Sequence, residues 1–131
     1  MRKLLTIFTL VFTVMFSSTS FAEWTKFGSN VKGSTFYLDF ARIKINNENI
    51  FHWVLRDYLK PDTYGDISSI SLQEVDCNIP RKVRKIYATY HTQPMGRGDP
   101  STVSPKTRDW DYPPPNSIGE MITEHVCKHA K

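Results

Sequence analysis

No run of about 20 apolar residues occurs in the 131-residue chain, so no helix able to cross a bilayer is expected. Cysteine is nearly absent, with only Cys77 and Cys127 present. Neither follows the leader cleavage point described below, so lipid attachment at an N-terminal cysteine is not expected. Gly-x-Ser-x-Gly is missing, which removes the nucleophile elbow of the α/β-hydrolases. The one Gly-x-Gly, Gly96 to Gly98, lacks the strand-to-helix context of a nucleotide-binding loop. His125 and His129 stand four apart, but no acidic residue at metalloprotease spacing accompanies them. The expectation is a non-enzymatic protein with no cofactor and no metal.

What is present begins with a leader. Arg2 and Lys3 precede an apolar run from Leu4 to Phe16, and Ser20-Phe21-Ala22 offers small residues at the two positions a signal peptidase reads. Residues 1–22 therefore read as a cleaved signal peptide, and residues 23–131 as a single exported domain. Arg2 and Lys3 leave with the leader, so two units of the formal charge of +4 belong to it. Roughly 110 residues remain, enough for one modest core.

Most of that length reads as strand. "TFYLDF", Thr35 to Phe40, alternates Phe36, Leu38 and Phe40 against Tyr37 and Asp39, the period-2 pattern of a half-buried strand. Arg42 to Ile45 and Ile50 to Tyr58 flank "NNEN" and form a predicted hairpin, with Trp53 as a core anchor. Ser69 to Cys77 and Val83 to His91 form a second pair around "NIPR". An early strand falls near Trp24 to Phe27. Strands follow strands without intervening helices, so the class is α+β: an antiparallel sheet of five to six strands with one C-terminal helix packed on it.

Pro94 to Pro115 has no usable periodicity and reads as a long loop. Ser117, with Glu120 three residues on, then opens a predicted helix from Ile118 to His129. With Ile118 at zero on a helical wheel, Met121, Ile122 and Val126 fall at about 300°, 40° and 80° and define the apolar face. Cys127 falls at about 180°, off that face. Two cysteines in an exported chain are most simply one disulfide, which here requires the helix to roll or its last turn to unwind; an irregular helix end is expected. A metal site or a reactive thiol pair is the alternative.

Arg81-Lys82-Val83-Arg84-Lys85 is the densest basic run. In an exported protein its partner is an anionic polysaccharide rather than nucleic acid; equally, it reads as an edge strand kept soluble by charge. The loop contributes two further candidates. Arg97 opens Arg97-Gly98-Asp99, a tripeptide recognised by integrins but also good turn chemistry, and Trp110 stands between Asp109 and Asp111.

Taken in order, Trp24, Tyr37-x-Asp39, Trp53 with Arg56-Asp57-Tyr58, Asp76-Cys77, Pro94-Met95-Gly96-x-Gly98, Trp110 and a terminal helix opened by Ser117 and closed by Cys127 form a pattern. It resembles the bacterial surface-adhesin protein E family over nearly all of the exported chain. The resemblance implies an antiparallel sheet tied to its C-terminal helix by a Cys77–Cys127 disulfide. It also implies a non-enzymatic surface protein that binds host extracellular-matrix proteins and can form a homodimer. A periplasmic envelope protein with the same fold is the rival expectation.

Overall fold

The computed structural model describes residues 22–130. The expected leader, residues 1–22, lies outside the described residues except for Ala22. The segments with period-2 alternation form β1 (Thr25–Ser29), β2 (Thr35–Leu38), β3 (Lys44–Asn46), β4 (Asn49–Asp57), β5 (Ser68–Asp76) and β6 (Lys82–His91). A seventh strand, β7 (Thr102–Ser104), comes from the segment expected to be loop. All pair antiparallel in one sheet with the order β1-β2-β4-β5-β6-β7. Strands β2 and β3 share one edge of β4: Leu38 pairs with Val54, whereas Lys44 pairs with Phe51 further along. A 3₁₀ turn at Phe40–Arg42 carries the chain from one to the other. "NNEN" tightens to a two-residue turn, with Asn47 and Glu48 both at positive φ, as hairpin twist demands.

One face of the sheet carries Leu38, Ile50, Val54 and Val75, which form the core with Ile122, Val126 and Cys127 of α1 (Ile118–His129). Phe36 and Phe40 pack against this cluster, as their alternation with Leu38 predicts. Trp53 does not belong to it. Successive side chains in β4 point to opposite faces, so Trp53 stands on the far side, edge-on to Tyr87 and beneath the Arg42 guanidinium. The core anchors of β4 are its neighbours in the other phase, Ile50 and Val54, with His52 buried between them.

The helix starts where expected. Ser117 Oγ accepts the Glu120 N–H at 3.1 Å, and the Glu120 carboxylate accepts the Asn116 N–H, so two orphan donors at the helix start are satisfied. Its orientation differs from the expected one. The buried residues are Ile122, Thr123, Val126 and Cys127, a stripe centred at about 110° on the same wheel and rolled by roughly 90° from the apolar face. Met121 consequently points outward and is 47% exposed. The roll brings Cys127 onto the sheet, where it bonds to Cys77. The helix remains regular through His129, so the irregular end expected from the sequence does not occur. Buried Thr123 is accommodated because its hydroxyl donates to the Gly119 carbonyl one turn back.

The far face is closed by a clasp built from the Pro94-Met95-Gly96 segment. Met95 N–H donates to Asp57 Oδ1 at 3.1 Å and Gly96 N–H to Ser68 Oγ at 2.9 Å. Ser68 in turn donates to the Gln93 carbonyl. Gly96 has φ +64°, and a Cβ there would stand 2.5 Å from Ile70 Cδ1, so only glycine lets the backbone lie flat on Ile70 and Leu55.

Candidate ligand-binding face

The basic run of β6 is dispersed by the two-residue period of the strand. Arg81 lies toward α1, beside a cleft that also carries Glu120 and Glu124. Lys82 and Arg84 point to the far face and stack on Trp110, with cation-to-centroid distances of 4.8 and 4.3 Å. Arg84 is also held by Glu74 at 2.7 Å, and Lys82 stands 4.0 Å from Asp76. Their charges are therefore engaged inside the fold. Lys85 points the other way, to the face that α1 only partly covers. The edge-strand reading is corrected too, because β7 pairs with Ala88 to Tyr90, and Asp111 bonds both ways to Val83 at 2.8 Å.

Of the loop candidates, Trp110 is drawn into the stack just described. Arg97 is not near it: the tripeptide Arg97-Gly98-Asp99 is exposed and leaves the Gly96 clasp as a turn. Gly98, at φ +75°, presents its carbonyl to the His91 ring at 3.2 Å. Arg84, Lys85 and Trp110 line one cleft, but Arg81 lines another and Arg97 neither, so the six cationic and aromatic candidates do not form one site.

A different constellation does form. Beyond the end of α1, the helix-side face continues through Arg56 and Tyr58 on the β4 side, Ser69, Ser71 and Gln73 of β5, and Lys85, Ala88 and Tyr90 of β6. Arg108 joins them because its N–H bonds to the Lys85 carbonyl at 2.8 Å. Ser69, Ser71 and Ala88 are buried, and Ala88 lies outside the cluster that packs against α1; long neighbouring side chains here bury their aliphatic stems and gather their charged ends. Arg56 also packs between the Phe36 and Tyr58 rings, at 5.5 and 5.2 Å. Among the described residues, no carboxylate stands within ion-pair distance of Arg56, Lys85 or Arg108. Burial lowers the Lys85 pKa, and the Arg108 and Arg56 charges lower it further. Burial raises the Tyr58 pKa, opposed by its hydrogen bond to Ser69 and the Arg56 charge.

Sequence reasoning had singled out Lys85 but missed Arg56, Tyr58, Tyr90 and Arg108 as members of one face. The phase of β4 puts Arg56 on the same side as Val54, which was legible; the placement of Arg108 rests on loop pairing, which was not.

His125 and His129 go elsewhere. His125 packs edge-on to Phe27 and Phe40 at 5.4 Å from each, and His129 lies 5.3 Å from Phe40. Among the described residues, no group of three or more His, Cys, Asp or Glu side chains is placed to hold a metal ion.

The chain matches the family model described as surface-adhesin protein E over residues 24–128. The chain belongs to the surface-adhesin protein E family. No curated protein and no solved structure matches it. Membership in the surface-adhesin protein E family carries the broad reading of an exported or surface-located adhesin, whose role is binding rather than catalysis. Among the described residues, no helix is long and apolar enough to cross a membrane. The positions that carry the family pattern are largely those that hold the scaffold. Arg42 bonds Asp39 at 2.6 Å and its guanidinium lies over both Trp24 and Trp53. Asp57 anchors the Gly96 clasp, Cys77 anchors the helix, and Trp110 covers Lys82 and Arg84.

Proposed function

We propose that the chain, released from its leader after Ala22, is an exported binding module that attaches cells to host extracellular-matrix protein or anionic polysaccharide. The reading is supported above all by the family match across residues 24–128, nearly the whole fold. It is also supported by a disulfide-braced sheet whose open half carries cations without carboxylate partners among the described residues. Pairing of two copies is part of the proposal. β1 ends the sheet order and leaves one edge of backbone groups unpaired within the sheet, which a second copy can use.

Protease shaving of intact cells tests the location. Loss of the protein alongside an outer-membrane marker is expected, and full protection while that marker is cut would rule out surface adhesion. Attachment to immobilised matrix protein, compared between cells with and without the gene, tests the activity. Equal attachment by the two would overturn the adhesive reading.

A further inference from the structure

The open half of the helix-side face is a continuous groove. At one end a cleft of about 670 Å³ is lined by Lys32, Arg56, Tyr58, Lys60 and Asp62. Asp62 is shared with a second cleft of about 380 Å³ that contains Tyr64, Tyr90 and Arg108. Arg108 is shared with a third, of about 460 Å³, that contains Gln73 and Lys85. The line of clefts crosses β4, β5 and β6 at the level of Arg56, Ser69 and Tyr90, about 10 Å at the usual strand spacing, and then follows β6 from Tyr90 to Lys85. Six cations line it, Lys32, Arg56, Lys60, Arg84, Lys85 and Arg108, of which Arg84 is already paired with Glu74. The acids beside it are Asp62, Asp66, Asp109 and Asp111, of which the first two are already engaged. Asp62 Oδ1 accepts the Tyr64 and Asp66 N–H groups at 2.9 Å, closing its own turn. Asp66 is 3% exposed and accepts the Ser101 hydroxyl.

Three like charges converge at Arg56, Lys85 and Arg108 with no internal counter-charge among the described residues, and Arg56 Nε is buried without a hydrogen-bond partner. Such an arrangement is unfavourable until an anion enters. The groove also selects the form the anion takes. Because β4, β5 and β6 are each paired on both sides, its floor offers no backbone ladder to an extended peptide. Its lining supplies instead tyrosine ring faces and hydroxyl and amide groups, from Tyr58, Tyr90, Thr102, Ser104 and Gln73, which suit sugar rings and sugar hydroxyls.

We infer that this groove, with Arg56, Lys85 and Arg108 at its centre, binds a linear polysaccharide bearing sulfate or carboxylate groups. The site deepens the adhesive reading by naming its ligand class. Its test uses purified protein, so it can fail while cell attachment survives, and the reverse.

Titration of the exported full chain with a size-defined heparin oligosaccharide, followed by calorimetry, tests the inference. R56Q, K85Q and R108Q are each expected to weaken binding about tenfold or more, the usual loss of one charge-assisted contact. K85R, which keeps the charge, retains binding. K82Q, on the opposite face, leaves affinity within about twofold and is the control for general basicity. Binding by the unaltered protein falls as salt rises, and the dependence flattens in the three variants. Thermal melts identify any variant that fails to fold, and K85R together with K82Q still decides the matter in that case. Hyaluronan in place of heparin separates carboxylate from sulfate recognition, either of which supports the site. The inference is overturned if K82Q loses as much affinity as K85Q, if K85R binds no better than K85Q, or if an oligoglutamate peptide binds as tightly as both glycans.

Discussion

Acidification from pH 7 to pH 4 weakens this fold through one side chain in particular, His52. It is 1% exposed, and neither ring nitrogen has a hydrogen-bond partner among the described residues. Burial lowers its pKa from 6.5 to about 4, so the native state holds the ring neutral while the unfolded chain protonates it below pH 6.5. The unfolded state therefore binds more protons between those two values, and stability falls as pH drops. The loss runs at about 1.4 kcal/mol per pH unit and totals roughly 3 kcal/mol by pH 4. That is a large share of the 5–15 kcal/mol typical of small domains. Urea unfolding of the non-reduced protein at pH 7, 5.5 and 4.5 measures it, with His52→Leu as the comparison. The substitution removes the titration and the two unpartnered nitrogens while keeping an apolar filling. Every other side chain is common to the two proteins, so its contribution cancels in the difference. The unaltered protein is expected to lose roughly 2 kcal/mol more than H52L between pH 7 and pH 4.5. Parallel pH profiles would refute the reasoning, since they would mean that His52 is as free to protonate in the native state as in the unfolded chain.

Four further outcomes follow from the geometry. The bond between Cys77 and Cys127 closes a separation of 50 residues, so replacing both by alanine should lower unfolding free energy by about 4 kcal/mol, and the unaltered protein should show no free thiol under denaturing, non-reducing conditions. Ile122→Ala should cost about 2–4 kcal/mol, whereas Met121→Ala should stay within about 0.5 kcal/mol; equal losses in urea melts would contradict the observed roll of α1. Gly96→Ala forces a side chain onto Ile70 at positive φ and should lower stability by about 1–3 kcal/mol, seen as an earlier thermal midpoint. Asp99→Glu in the exposed turn should leave both the melt and attachment to integrin-bearing cells unchanged; loss of attachment would give the Arg97-Gly98-Asp99 tripeptide an adhesive role that the groove does not need.

The family pattern and the structure explain each other. Trp24, Asp39 and Trp53 converge on Arg42, Asp57 holds the Gly96 clasp, and Trp110 roofs Lys82 and Arg84. These residues build the scaffold. The groove cations Arg56, Lys85 and Arg108 surround small residues, Ser69, Ser71 and Ala88, that leave room for long side chains to lie across the sheet.

Local periodicity alone determined six of the seven strands, the antiparallel class, the helix span and its Ser117 cap, because each depends on side-chain alternation or on groups a few residues apart. The tertiary structure decided what depends on distant partners. It chose which phase of β4 faces the helix, so Ile50 and Val54 rather than Trp53 became core. It rolled α1 to meet Cys77, against the helix's own apolar face, because a covalent bond outweighs the exposure of one methionine. It also scattered the one basic cluster visible in the sequence and assembled another from Arg56, Lys85 and Arg108. Neighbours along a strand point to opposite faces, and cations from separate segments meet only when the sheet is formed.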